Sequence, residues 1–145
     1  MSFELRPITA ADEGLSAALR AEGLPVADLD APDQRFFVGL DDGAPRVWGG
    51  WSGRGEDRLL RSVVVAPSAR GRGLSRALVE ALAAAAAEDG ARRLWLLTTS
   101  AADVFARLGW SRVERAEVPP DLLAHPQFAG LCPASAACMV RDCRI

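Results

Sequence analysis

Ser62-Val63-Val64-Val65-Ala66-Pro67-Ser68-Ala69-Arg70-Gly71-Arg72-Gly73-Leu74-Ser75-Arg76-Ala77-Leu78 reads as a buried strand, a Gly-rich loop and the start of a helix. Gly71 and Gly73 let the main chain approach a ligand closely, and the N–H groups of the loop and the first helical turn converge on an anion. The helix dipole adds to the same attraction. The segment therefore has the plan of a phosphate cradle. Two familiar cradles are excluded. The dinucleotide fingerprint Gly-x-Gly-x-x-Gly lacks its third Gly, because Arg76 stands there, and no Gly-Lys-Ser/Thr follows.

Outward from this segment, residues 59–65 form the strand that enters the loop. Leu74, Leu78 and Leu82 recur at i, i+4 and i+8 with Ala77, Ala81 and Ala85 beside them, giving one apolar helix face that Gly90 closes. Residues 94–98 are continuously apolar, as in a strand buried on both faces, so 59–98 is one βαβ unit. Upstream, residues 3–8 alternate as a strand. Thr9 with Asp12-Glu13 then opens a helix to about Ala21, closed by Gly23. Residues 26–30 have room for one more helical turn. Residues 35–40 and 46–51 flank Asp41-Asp42-Gly43 as a β-hairpin, to which 59–65 adds a third strand. Downstream come a short helix at 101–108 stopped by Gly109, a strand at 110–113, a long connection at 119–131 with space for one helix, and a last strand at 134–140. The order β-α-(α)-β-β-β-α-β-α-β-β has neither repeats nor a linker and describes a single α/β domain over 1–145.

Composition narrows the partners. A 145-residue chain is long enough to bury a real core, and a net charge of -2 gives no electrostatic reason to expect nucleic acid or an anionic membrane. All 17 basic residues are Arg, and Lys, Asn and Tyr are absent; with the Ala richness this points to GC-rich coding rather than to an Arg-based function. The first residues lack the basic start and apolar core of a signal peptide, and no window approaches the ~18 apolar residues of a membrane span, so a cytoplasmic location is expected. Cys132, Cys138 and Cys143 form an odd set that does not make a disulfide framework. Neither spacing matches a zinc module, so no metal site is expected. On an extended strand Cys138 and Cys143 point to opposite faces, and Cys132 lies roughly 20 Å from Cys138. Buried packing is the expected role of these thiols.

Arg70-x-x-Gly73-x-Ser75 resembles the Arg/Gln-x-x-Gly-x-Gly/Ala motif of the GNAT acyl-CoA N-acyltransferases, with Ser75 in place of the last small residue. Val104-Phe105-Ala106-Arg107-Leu108-Gly109-Trp110 resembles the Phe-Tyr-x-x-x-Gly-Phe element that follows the second buried strand in that family. More narrowly, five stretches are similar to a group named as arsenic-resistance N-acetyltransferases. They are Gly23-Leu24-Pro25 with Asp28-Leu29, Leu59-Leu60-Arg61-Ser62, Leu96-Leu97-Thr98-Thr99, Phe105-Ala106-Arg107-Leu108-Gly109, and Cys132-Pro133-Ala134-Ser135-Ala136-x-Cys138-Met139.

The resemblance implies a GNAT fold: a mixed central sheet of about six to seven strands, a splayed parallel pair joined by the βαβ unit, and about four flanking helices. It implies acetyl-CoA as acyl-donor cosubstrate and a small-molecule amine as acceptor, such as an amino-acid-like organoarsenical. Main-chain groups of Val63 and Val65 would hold the pantetheine and the thioester carbonyl. The loop Arg70, Gly71, Arg72, Gly73, Leu74 and Ser75 would bind the pyrophosphate, and Arg72 or Arg76 would reach a further phosphate. As plain surface charge, Arg76 would pair with Glu80 at i+4.

Acetyl transfer needs a neutral amine, a donor for the developing oxyanion, and a proton for the departing thiolate. The family often supplies that proton from a Tyr where this chain has Phe105, and the chain has no Tyr at all. Thr99 and Ser100 are the nearest hydroxyls by reading and are taken as the catalytic donors. No carboxylate occurs in 59–62, and Glu56 and Asp57 are read into a preceding turn. His125, the only histidine, is read as a surface residue in a Pro-flanked connection, with a general base as the alternative. Arg61 is expected to share a face with Val63 and Val65 and to bind a substrate carboxylate as a bidentate fork; the alternative is an ion pair at a strand edge. Two other functions stay open: a GNAT module that binds acyl-CoA or an arsenical without turnover, and a protein N-acetyltransferase. A C-terminal strand pairing between subunits would make a homodimer.

Overall fold

In a computed structural model the chain forms one seven-stranded sheet of order β1-β2-β3-β4-β5-β7-β6, and the residues described are 2–125 and 135–144. Four strands run antiparallel from one edge: β1 (Phe3–Ile8), β2 (Gln34–Asp41), β3 (Ala44–Ser52) and β4 (Asp57–Val65). The β2–β3 turn is made by Asp42 and Gly43, both at positive φ, which matches the right-handed twist of the flanking strands. Next comes β5 (Arg93–Thr98), parallel to β4, and then β7 (Ala137–Asp142), which lies between β5 and the edge strand β6 (Ser111–Val113). The four α-helices among the described residues are α1 (Glu13–Ala21), α2 (Leu74–Glu88), α3 (Ala102–Arg107) and α4 (Pro120–Leu123).

The helices divide between the two faces of the sheet. On one face α2 packs Leu74, Leu78 and Leu82 against Val47, Leu60, Leu94 and Leu96, with Phe105 of α3 and Trp110 at the margin. On the other, Leu15 and Leu19 of α1 meet Phe36, Val38, Trp48 and Val64. Leu122 of α4 closes over Leu59, Trp95 and Cys138 on a third cluster. Burying each of these leucine side chains stabilises by about 1.5–3 kcal/mol, so these contacts are what hold the helices to the sheet.

Three expectations change. No second helix follows α1. The carbonyls of Asp28, Leu29 and Ala31 accept hydrogen bonds from the Gln34 side-chain amide, so 26–31 is pinned as successive turns. The C-terminal strand is not an edge available to a second subunit, because β5 and β6 flank it on both sides. Its described bounds, Ala137–Asp142, also extend past the expected end at 140, while 126–134, including Cys132, lie outside the described residues. Cys138 and Cys143 do face opposite sides of the sheet, each buried in a different apolar cluster, and burial pushes both thiols above their ordinary pKa.

Candidate active site

The parallel pair is held together only at its base. Asp57, Arg58 and Leu59 pair with Arg93, Leu94 and Trp95; beyond them β4 continues to Val65 and β5 to Thr98 with no pairing between them. Asp57, which opens β4 instead of sitting in a turn, ties the base of the V by accepting from Trp95 Nε1 at 2.8 Å and pairing with Arg93. Past the fork the facing edges of both strands have no strand partner, and their polar groups border a cleft of about 600 Å³. Val63 and Val65 line it on one side, Thr98, Thr99 and Ser100 on the other, and Phe105 and Val104 of α3 cover it. Leu24 and Pro25 reach in from the loop after α1.

At the outer end of β4 the chain makes a single 3-10 turn at Pro67–Ala69, runs through Arg70 to Gly73, and enters α2 with Gly73 as N-cap. Gly71 has φ +83° and Gly73 φ +73°, left-handed conformations that a side chain would strain, and a Cβ at either would point into open space. The loop is exposed from Arg70 to Gly73, whereas Leu74 is buried under α2 and Ser75 turns toward the cleft. Leu74 thus serves the loop by anchoring it. Arg70 pairs with Glu22, and Arg72 Nη1 lies 3.4 Å from Asp41 Oδ2. The exposed Arg70–Glu22 pair contributes about 0–1 kcal/mol, whereas the Asp41 carboxylate facing Arg72 is buried. Glu80 does not pair with Arg76 as the helical spacing predicts; it accepts from Arg141 Nη1 at 2.9 Å, across to β7.

The floor of the cleft holds the largest departure from expectation. Across β3 and β4, Gly50 pairs with Arg61 and Trp48 with Val64, so Ser62 and Val63 together oppose the single residue Gly49. This β-bulge sets Ser62 at φ +60° and resets the alternation of the strand. Arg61 therefore lies with Val64 on the face that carries α1, opposite Val63, and its guanidinium lies 5.6 Å from the Phe36 ring centroid. It is no open fork. Nη1 and Nη2 bind both oxygens of Asp28 at 2.5 and 2.8 Å, Nη1 also donates to Gln34 Oε1, and Nε donates to Ser62 Oγ at 3.0 Å. The ion pair exists, but in the middle of the sheet with Arg61 only 3 % exposed.

Sequence reasoning missed Asp28 and Gln34 as its partners. The one available signal was a buried-strand Arg with no nearby acid, which must find a distant carboxylate. His125 joins the same cluster. Its Nε2 is 3.9 Å from Asp28 Oδ2 and its side chain is mostly buried, not on the surface. Burial, and then the Arg61 charge, hold it below its ordinary pKa, with Asp28 opposing. Thr99 and Ser100 are exposed on the bend after β5, both facing the cleft, while Thr98 Oγ1 accepts from Ala101 N and starts α3. Phe105 stacks edge-on to Trp110 at 5.6 Å.

A splayed parallel pair, with a glycine loop and a helix N-terminus at its open end, defines an acetyltransferase-type fold. Residues 6–110 match the model of the acetyltransferase (GNAT) family, and the chain belongs to that family. Among solved structures it resembles N-acetylglutamate synthase from Neisseria gonorrhoeae complexed with coenzyme A and N-acetyl-glutamate. That likeness has a TM-score of 0.80 at 16% identity and covers 100% of this chain and 36% of the synthase, so the chain spans about a third of that protein. A Mycobacterium tuberculosis protein in complex with CoA aligns at TM-score 0.77 and 18% identity over 96% of this chain and 98% of its own. An acetyltransferase from Thermus thermophilus aligns at TM-score 0.67 and 21% identity, covering 98% and 97%. No curated protein matches the chain.

Proposed function

We propose that the protein is an acetyl-CoA-dependent N-acetyltransferase, a single catalytic domain over 1–145 that acetylates the amine of a small molecule. The observation that carries this reading is the opening of β4 from β5 directly beside the glycine loop. An anion bound by the loop would feed a thin chain straight into the gap between the strands. The residues present fit coenzyme A. Its pyrophosphate meets the main chain of Arg70, Gly71, Arg72, Gly73, Leu74 and Ser75 at the α2 N-terminus. Its pantetheine would meet main-chain groups of Val63 and Val65 and so take the place of a missing neighbouring strand. Phe105 supplies an apolar wall. Acetyl-CoA brings the activated acyl group; this chain aligns it, keeps water from the thioester and offers donors for the charge that develops on transfer.

The departing thiolate lies toward β5, where Thr99 and Ser100 offer hydroxyl donors in place of a phenol. The acceptor enters beside Leu24 and Pro25. Arg61, closed by Asp28, shapes that end of the cleft and holds Ser62 instead of gripping a substrate carboxylate with a free fork. An amino-acid-like organoarsenical is the acceptor favoured by the resemblance of 23–29, 59–62 and 135–139 to arsenic-resistance acetyltransferases. Location in the cytoplasm accords with such a donor; no helix among the described residues is long and apolar enough to cross a membrane.

The test is thiol release from acetyl-CoA against a panel of amines that includes amino-acid-like organoarsenicals, amino acids and lysine peptides, with product masses recorded. Release that depends on a small amine and an acetylated product is expected. Tight acetyl-CoA binding with no release across the panel would favour a binding module, and acetylation of peptides alone would favour a protein acetyltransferase.

A further inference from the structure

The geometry points to Ser62 as a catalytic residue: its side-chain hydroxyl donates a hydrogen bond to the thioester carbonyl of bound acetyl-CoA and stabilises the oxyanion that forms there. The inference rests on the reading of the cleft as an acetyl-CoA site. Four observations carry it. Ser62 lies on the bulge, just past the point where β4 leaves β5, and it lines the cleft next in sequence to Val63. It is a non-glycine residue at φ +60°, a conformation that costs of order 1 kcal/mol and persists only where the surroundings impose it. The β-bulge imposes it, and Arg61, whose Nε donates to Ser62 Oγ, fixes where the hydroxyl sits. Because Oγ is there an acceptor, its own hydrogen points elsewhere, and it finds no acceptor among the described residues.

The Arg61 charge makes that hydrogen a stronger donor and the oxygen a poorer base, so the group suits a developing negative charge and not proton removal from an amine. Asp28 and Gln34 are positioning residues. By holding both Nη atoms of Arg61 they leave Nε to aim the hydroxyl, and the burial of Arg61 and Asp28 keeps water from competing. In the addition step the amine nitrogen bonds to the carbonyl carbon and the C=O π pair moves to oxygen, where Ser62 and a main-chain N–H receive it. On collapse the C–S bond breaks, the pair leaves with sulfur, and the proton lost by the ammonium neutralises the thiolate directly or through water. Ser62 keeps its proton throughout.

The experiment loads wild-type protein, Ser62→Gly and Ser62→Ala with acetyl-CoA carrying carbon-13 at the thioester carbonyl, and records its isotope-edited infrared stretch together with the dissociation constant. Ser62→Gly retains the left-handed backbone without strain, and Ser62→Ala retains the Cβ. The expected result is a bound stretch shifted to lower frequency in the wild type, moved back toward the free value in both variants, with affinity within about threefold. With an amine that the wild type acetylates, kcat falls on the order of 10²-fold at unchanged KM for acetyl-CoA, the size of a lost oxyanion donor. An identical stretch in all three proteins overturns the assignment, as does loss of binding in both folded variants, since the hydroxyl would then be a coenzyme anchor. Failure of the wild type to bind acetyl-CoA overturns the proposed function, and this inference with it.

Discussion

Asp28 and Arg61 are 33 positions apart in sequence, and both side chains of the pair are buried. A buried charge left without its partner costs about 3–5 kcal/mol. Asp28→Ala should therefore lower the unfolding free energy by that much in urea, whereas Glu22→Ala, which removes the exposed partner of Arg70, should change it by less than about 1 kcal/mol. Equal losses would show that Arg61 is solvated after all. His125 gives the cluster a pH signature. Its folded pKa is depressed, so the unfolded chain takes up a proton that the folded chain resists. The stability this contributes is present above the ordinary histidine pKa of about 6.5 and is lost as pH falls below it. His125→Gln should flatten the stability profile between pH 7 and 5; an unchanged slope would place its source in the carboxylates. Gly73 separates strain from charge in the loop. Gly73→Ala should cost about 1–2 kcal/mol of stability through its left-handed backbone while coenzyme binding survives. Gly73→Glu should weaken acetyl-CoA by about 100-fold or more, since like charges about 4 Å apart repel by about 4 kcal/mol at surface dielectric. Calorimetry on both variants reads the difference.

Gly50 shows how tightly the hairpin strands approach where the bulge begins. A Cβ there would come within 2.0 Å of the Arg35 carbonyl oxygen, backbone that cannot yield. Gly50→Ala should destabilise by several kcal/mol, or prevent folding, while Gly55→Ala, in open space, should be near neutral in the same thermal unfolding assay. The elements differ in how far sequence foretold them, for a physical reason. Signals that are local were readable: the βαβ unit from its apolar runs and glycines, α1 from Asp12 and Gly23, the hairpin from Asp42-Gly43. Features set by partners far along the chain were not. The bulge at Ser62 leaves no mark in composition, yet by adding one residue opposite Gly49 it turns Arg61 to the other face of the sheet. The turns at 26–31 resemble a helix start until the Gln34 amide captures their carbonyls. Strand β7 reads as a terminal edge because nothing in residues 111–113 announces that so short a strand will cover it.

Across the molecule, the cleft follows from one topological choice. A parallel β4–β5 pair joined by α2 is tied at its base by Asp57 and filled at its sides by α3, and β7 then pairs along the full length of β5, from Arg93 to Thr98. Since β5 is held by β7, the divergence is fixed from outside and the cleft is present before any ligand arrives. Preorganisation of this kind lowers the cost of binding, because main-chain donors need not be freed from another strand first. On the proposed reading, the same arrangement lets a chain with neither Tyr nor a carboxylate lining the cleft serve transfer, because alignment and fixed donors supply much of an acyl-transfer rate. The most direct measurement is calorimetric titration of acetyl-CoA into the wild-type protein. The account predicts saturable one-to-one binding, lost in Gly73→Glu and kept in Gly73→Ala. Absence of binding to the wild type, or undiminished binding to Gly73→Glu, would contradict it.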